Sequence, residues 1–148
     1  MRRPNLIKVN KITILSAIAR ILDPLGIVAP VLIELRIAFQ SLWARGMDWD
    51  TVLEVKEADV WKTKIKSLEL LKEVQIIRLL RPKNVVGRPE IHGFDDGGEL
   101  AYGACVFVRW RLRDGSFELR FIAAKSYVAP IRIKSIPRIE LNLLLIMT

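Results

Sequence analysis

Residues 91–124 read IHGFDDGGELAYGACVFVRWRLRDGSFELRFIAA, and this stretch decides the fold. Aromatic and β-branched residues are concentrated from Ala101 to Leu112, which favours an extended strand. The Asp114-Gly115 pair is a hairpin-turn signal, and residues 117–124 supply the returning partner strand. A shorter strand is predicted from Ile91 to Phe94, so three strands follow one another along the chain.

The chain before this stretch has helical periodicity. Apolar residues fit a short helix over residues 12–19, and the turn residues Asp23-Pro24-Leu25-Gly26 end it. A second helix is predicted from Pro30 to Trp43, and Gly46 ends it. These two segments predict a helical region in front of the strands.

A third helix is predicted after Thr51, because Thr51 and Glu54 have capping-box spacing. Residues 74–80 fit either the end of that helix or a strand. A last helix is predicted from Pro137 to at least Ile146. The order of these elements predicts a mixed α+β chain.

Composition excludes several classes of protein. The chain has 148 residues, of which 51% are hydrophobic, enough to bury a core. Cys105 and His92 are the single cysteine and histidine, which excludes internal disulfides and cysteine or histidine zinc clusters. No apolar run reaches the roughly 18 residues that a membrane span needs. We expect an intracellular protein, cytoplasmic or nuclear, that is not secreted.

Positive charge is concentrated in the first part of the chain. The net charge is +8, and residues 1–90 carry 16 basic and 10 acidic residues. Such an excess favours a polyanionic partner, although charge alone does not separate nucleic acid from an acidic membrane surface. The first twenty residues contain no acid, and we expect their basic side chains to bind nucleic acid electrostatically; these are Arg2, Arg3, Lys8, Lys11 and Arg20.

Two places in the sequence carry acidic residues that are candidates for metal chemistry. Asp95 and Asp96 follow the first predicted strand, and paired carboxylates repel one another unless a cation such as a divalent metal is bound. The alternative is a solvated turn, in which Asp and Gly are common. Glu140 is a lone acid in an apolar helix, where a buried carboxylate must be paired, protonated or metal-bound. The alternative there is ordinary stabilisation by the helix dipole.

Other chemistries are disfavoured by the residues present. Aspartic peptidases use Asp-Thr-Gly or Asp-Ser-Gly turns. The chain instead has Asp114-Gly115-Ser116, in the wrong order, and Asp96-Gly97-Gly98, which lacks the hydroxyl. Cys105 and His92 lie on predicted strands, where structural roles are favoured.

Residues 15–26, LSAIARILDPLG, resemble the L-S-x-x-A-R-I-F-D-P-L-G signature of BEL/Pao-type retrotransposon Pol polyproteins. Further blocks resemble that family in the same order and span nearly the whole chain. They are QSLW (40–43), MDWD (47–50), IHGFDD (91–96), AYGA (101–104), AAKSYVAP (123–130) and IPRIEL (136–141).

The resemblance implies a fragment of a Pol polyprotein. Residues 1–88 would be a helical connector, and residues 89–148 the truncated N-terminal half of an RNase H-like α/β domain, with antiparallel strands and then its first helix. The implied partners are an RNA–DNA hybrid or duplex and the remainder of the polyprotein. An incomplete sheet would also favour self-association through its open edge.

The resemblance implies roles for two of the acids. Asp96 matches the catalytic aspartate of the family's first strand, and Glu140 matches the glutamate of its first helix. In an intact homologue such residues hold Mg²⁺ or Mn²⁺. Asp95 stands where the family commonly has cysteine, and Gly97 and Gly98 replace alanine and serine.

The chain has no Asp, Glu or His after Glu140. We therefore expect at most weak metal binding and no useful nuclease activity from this chain on its own. The alternatives are a non-enzymatic interaction or nucleic-acid-binding module and, disfavoured by its motifs, an aspartic peptidase.

Overall fold

The computed structural model describes residues 8–131, in which helices are followed by a three-stranded antiparallel sheet of order β1-β2-β3. This mixed α+β architecture confirms the predicted fold class. Arg2, Arg3 and the predicted last helix with Glu140 lie outside the described residues. The elements are α1 (Lys11–Ala19), α2 (Ala29–Ala44), α3 (Val55–Ser67), a 3₁₀ helix (Leu68–Glu73), β1 (Val85–Gly97), β2 (Ala101–Leu112) and β3 (Phe117–Val128).

The described chain packs as two units. The first comprises residues 8–22 and 34–74, and the second comprises residues 23–33 and 75–131. None of the helices within residues 8–131 is long and apolar enough to cross a membrane. The connector boundary after residue 88 stays a prediction, since packed units need not coincide with functional domains.

A capping box marks the start of the first helix, whereas the third helix begins without one. The Asn10 side chain accepts a hydrogen bond from the Thr13 amide at 2.9 Å, and the Thr13 hydroxyl accepts one from the Asn10 amide at 3.0 Å. The capping box predicted at Thr51 and Glu54 is wrong, because α3 begins only at Val55 and has no side-chain cap. The amide of the buried Leu53 instead donates to the Val9 carbonyl oxygen at 2.9 Å, which holds residues 51–54 outside the helix.

The first unit contains a buried lysine beside two indole rings. Lys11 is 1% exposed, and its ammonium nitrogen lies 4.0 Å from the centroid of the Trp43 ring. The same ammonium donates a hydrogen bond to the Met47 carbonyl oxygen. The Trp43 and Trp49 rings meet edge to face, with centroids 4.9 Å apart. We call Lys11, Trp43, Met47 and Trp49 the lysine cluster; it joins the blocks QSLW and MDWD to the start of α1.

Strand β1 is longer than its predicted span of residues 91–94. It begins at Val85, and the pairing of β1 with β2 shifts register between Val86 and Glu90. Gly87 has a φ of +77°, which glycine adopts without steric cost. Pro89 has no amide hydrogen, yet the strand tolerates it because it lies in this irregularity. Residues 74–80, for which helix and strand were both open, adopt neither.

The pairing register assigns the side chains to the two faces of the sheet, because paired residues of antiparallel strands point to the same side. On one face, which we call the aromatic face, the Phe107 ring contacts the rings of Phe94 and Phe121 edge to face. The aromatic face also carries Glu90, His92, Asp96, Cys105, Arg109, Arg111, Phe117, Leu119, Ala124 and Ser126. The other, the tyrosine face, carries Asp95, Tyr102, Ala104, Val106, Val108, Lys125 and Tyr127.

The predicted turn at residues 23–26 docks on the outer edge of β3. Both carboxylate oxygens of Asp23 accept backbone hydrogen bonds, from the Ile27 amide at 2.8 Å and the Val28 amide at 2.9 Å. The Leu25 carbonyl oxygen accepts a hydrogen bond from the Ala124 amide at 2.8 Å. The turn therefore covers part of a strand edge that would otherwise be unpaired.

The hairpin between β2 and β3 turns at the predicted Asp114-Gly115 pair, where Gly115 has a φ of +87°. The Ser116 hydroxyl and amide both donate to the Asp114 carboxylate, at 2.7 and 2.9 Å. These two hydrogen bonds hold the pKa of Asp114 below its usual value. The local chemistry of the turn thus matches what the sequence predicts.

Candidate functional site

The end of β1 places the two candidate aspartates on opposite faces. Asp96 pairs with Gly103 on the aromatic face, whereas Asp95 pairs with Ala104 on the tyrosine face. Both side chains are exposed. The two carboxylates therefore do not form the paired site that their adjacency in the sequence suggests, because successive strand residues point to opposite sides.

A largely apolar groove of about 260 Å³ lies at this end of the sheet, with Asp96, Gly103 and Ser126 among its lining residues. These three residues form one row across the strands. A Cβ atom on Gly103 would lie 2.9 Å from the Lys125 carbonyl oxygen, so the glycine keeps this row compact. The Ser126 hydroxyl is buried and has no hydrogen-bond partner within residues 8–131.

The oxygen donors of this row suit a hard divalent cation, but they are few. Within the described range, no three or more His, Cys, Asp or Glu residues are grouped so that they could hold a metal ion. The row supplies one carboxylate, that of Asp96, and Glu140 lies outside the described residues. Mg²⁺ commonly takes one or two carboxylates together with water and substrate phosphate, so Asp96 fits the role of one such ligand.

His92 and Cys105 have separate surroundings on the aromatic face. One ring nitrogen of His92 lies 3.2 Å from a Glu90 carboxylate oxygen. Cys105 pairs with Phe94 across the strands, whereas His92 pairs with Phe107. No hydrogen bond joins the thiol and the imidazole in the part of the chain that the structure describes. Cys105 lines the apolar groove but forms no pair with His92, which lies outside the groove lining.

The basic residues near the start of the chain differ in their surroundings. Lys8 and Arg20 are exposed, as electrostatic contacts with nucleic acid require. Lys11 contradicts that expectation, because its ammonium is buried against Trp43 and the Met47 carbonyl oxygen. The sequence pattern cannot show this, since the burial depends on side chains more than thirty residues away.

A second charged cluster, which the sequence analysis missed, lies near the start of β1. Arg88, Arg109 and Arg111 line one cleft together with Glu90. The available signal was the alternation Arg109-Trp110-Arg111 in a predicted strand, since residues two apart share one face of a sheet. The strand register is needed to place Glu90 beside Arg109, and the irregularity in β1 is needed to bring Arg88 into the cluster.

Comparison with known proteins gives one family. A family model described as the Pao retrotransposon-like RNaseH-like domain matches residues 10–148. Comparisons with curated proteins and with solved structures give no match. The matched range covers nearly all of both packed units and includes the positions of Asp96 and Glu140.

Proposed function

The chain belongs to the Pao retrotransposon-like RNaseH-like domain family, and from this we propose that it is a segment of a Pol polyprotein that binds RNA–DNA hybrid or duplex. Asp96 and Glu140 would hold Mg²⁺ or Mn²⁺ weakly, and the 148-residue chain would not cleave the hybrid on its own. The observation that carries this proposal is the exposed Asp96 carboxylate at the end of β1, beside the groove.

The residues of the row have distinct parts in this proposal. A divalent ion bound at Asp96 would stabilise negative charge on a phosphate oxygen and lower the pKa of bound water. Asp96 offers an acceptor that is open to solvent, and Gly103 adds no side chain to the row beside it. The buried Ser126 hydroxyl supplies a further oxygen in that row. Asp95 pairs with Ala104 on the other face of the sheet, so its carboxylate is not part of this row.

Hybrid cleavage tests the catalytic half of the proposal. With Mg²⁺ or Mn²⁺, we expect no turnover of a labelled RNA–DNA hybrid above background. The two carboxylates of Asp96 and Glu140 are too few to hold two metal ions. Asp96→Asn and Glu140→Gln should match the unaltered chain. Asp95→Asn is the control, since it removes a neighbouring carboxylate from the opposite face. Robust cleavage that is lost in the first two variants and kept in the control would show that the proposal is wrong.

Salt dependence tests the binding half. The affinity for a fluorescent hybrid should fall steeply between 50 and 200 mM salt, because each neutralised phosphate contributes a slope of about −0.9 to log K against log salt. Lys8→Gln and Arg20→Gln should each make that slope shallower, while Lys11→Met should not, because Lys11 is buried. Fluorescence anisotropy measures these slopes. An affinity that does not change with salt would rule out electrostatic binding.

A further inference from the structure

A cleft of about 290 Å³ lies near the start of β1, on the aromatic face of the sheet. We call it the arginine cleft and define it by Arg88, Glu90, Arg109, Arg111 and Phe117. At roughly 30 Å³ per water molecule, the cleft has room for a tetrahedral oxyanion together with several waters. Its size therefore suits a small charged group.

The pairing of the strands builds this cleft. Arg109 and Arg111 are two residues apart on β2, so they share the aromatic face. Arg109 pairs with Glu90 on one side, and Arg111 pairs with Phe117 on the other. The register shift before Glu90 brings Arg88 into the same lining. The three arginines are thus gathered by backbone geometry and do not depend on flexible loops.

Three arginines and one glutamate line the cleft. Arg109 is fixed, because its guanidinium donates to Glu90 at 3.3 Å and its Cζ atom lies 3.7 Å from the centroid of the Phe117 ring. Arg88 and Arg111 are exposed and form no ion pair within residues 8–131. Like charges held together cost electrostatic free energy, and a bound anion would relieve that repulsion.

Guanidinium groups recognise phosphate in particular, because their planar N–H donors match two phosphate oxygens at once. Phe117 is 49% exposed and adds an apolar surface beside the donors. We propose that the arginine cleft binds a phosphodiester group of nucleic acid. This choice of ligand rests on the proposed function, since inorganic phosphate offers the same chemistry.

The position of the cleft along β1 favours a polynucleotide as its ligand. Glu90 in the cleft and Asp96 beside the groove lie on the same face of one strand. Six residues separate them, which corresponds to about 20 Å at roughly 3.3 Å per residue. Phosphates of one nucleic-acid strand repeat about every 3.4 Å of helix axis, so one backbone could contact both places.

The test compares two charge-matched double variants. Arg88→Gln with Arg111→Gln removes the two unpaired guanidinium groups from the cleft. Lys72→Gln with Arg78→Gln removes the same charge from exposed positions outside it. Hybrid affinity is measured by anisotropy across salt concentrations, and circular dichroism checks that each variant is folded. NMR titration with inorganic phosphate, which follows the arginine side-chain signals, tests the cleft without nucleic acid.

We expect the cleft variant to lose at least about tenfold in hybrid affinity at 50 mM salt, and its salt slope to become shallower by nearly 2. The control should change affinity by less than about threefold. Glu90→Gln should increase affinity, because it frees Arg109 for phosphate. Equal hybrid affinities in both double variants would overturn the proposal.

The phosphate titration separates failure of the cleft from failure of the proposed function. If the chain does not bind the hybrid but phosphate shifts the arginine signals, the cleft is a phosphate site and the proposed function is wrong. If the chain binds the hybrid but phosphate leaves those signals unchanged and the cleft variant binds normally, the cleft is not the site. If neither ligand binds, both proposals fail.

Discussion

Replacing Gly26 by alanine is expected to destabilise the second unit by about 4 kcal/mol. A Cβ atom at this position would lie 1.9 Å from the Ala124 carbonyl oxygen and 2.6 Å from its carbon, which is far inside contact distance. The φ of +73° adds about 1 to 2 kcal/mol for any residue with a side chain. Overpacking commonly lowers the free energy of unfolding by about 1 to 3 kcal/mol. Here the opposing atoms belong to the backbone, so they cannot shift without disturbing the strand.

Gly46→Ala is the matched control for this result. Gly46 also has a positive φ, of +67°, but an added Cβ atom would meet nothing within 4 Å. The free energy of unfolding of this variant should therefore fall only by the cost of the positive φ, about 1 to 2 kcal/mol. Urea unfolding monitored by circular dichroism measures both variants. Equal losses would show that the turn at residues 23–26 does not pack on β3 as described.

Replacing Lys11 by alanine is expected to cost about 3 to 4 kcal/mol. The change removes a buried four-carbon stem, the contact of the ammonium with the Trp43 ring and the hydrogen bond to the Met47 carbonyl oxygen. Truncation of a large buried side chain commonly costs about 2 to 5 kcal/mol. The loss of a hydrogen bond from a charged donor acts in the same direction, at about 1.5 to 3 kcal/mol. Some relaxation around the site keeps the total below their sum.

Two further variants separate the contributions of Lys11. Lys11→Met keeps most of the stem and removes the charge, so it should lose about 1 to 2 kcal/mol. Lys8→Ala is the control. Because Lys8 is exposed, this substitution should change the free energy of unfolding by no more than about 0.5 kcal/mol. The midpoint of thermal unfolding reports all three. If Lys11→Ala were as mild as Lys8→Ala, the lysine cluster would not be a packed core.

Local signals were sufficient for much of the fold. The Asp114-Gly115 turn and the aromatic strand before it predict the hairpin because both depend on neighbouring residues. The predicted start of α3 was wrong, because a hydrogen bond from the Leu53 amide to the Val9 carbonyl oxygen, more than forty residues away, overrides the local capping pattern. The length of β1 was missed for a similar reason, since Pro89 normally ends a strand and here lies in an irregularity.

The candidate site was predictable only in part. Resemblance to a family pointed to Asp96, and the structure places it exposed at the end of β1. Adjacency in the sequence suggested that Asp95 belonged with it, but the alternation of a strand separates them. The lysine cluster and the arginine cleft depend on which distant residues meet, and a pattern read along one chain does not contain that information.

Several of the blocks that carry the family resemblance have structural roles. The Asp23-Pro24-Leu25-Gly26 turn docks on β3, and the blocks QSLW and MDWD meet in the lysine cluster. Gly103 of the AYGA block leaves no room for a side chain beside Lys125. A motif shared across a family is therefore no evidence by itself that its residues touch a ligand.

The hydrogen bond between Leu25 and Ala124 also has a kinetic consequence. Its two residues are roughly 100 positions apart in the sequence, so closing the loop between them has a large entropic cost. During synthesis the turn at residues 23–26 emerges long before β3 exists, and it has no strand edge to dock on until the hairpin forms. We infer that this docking is a late step in folding, which follows assembly of the sheet.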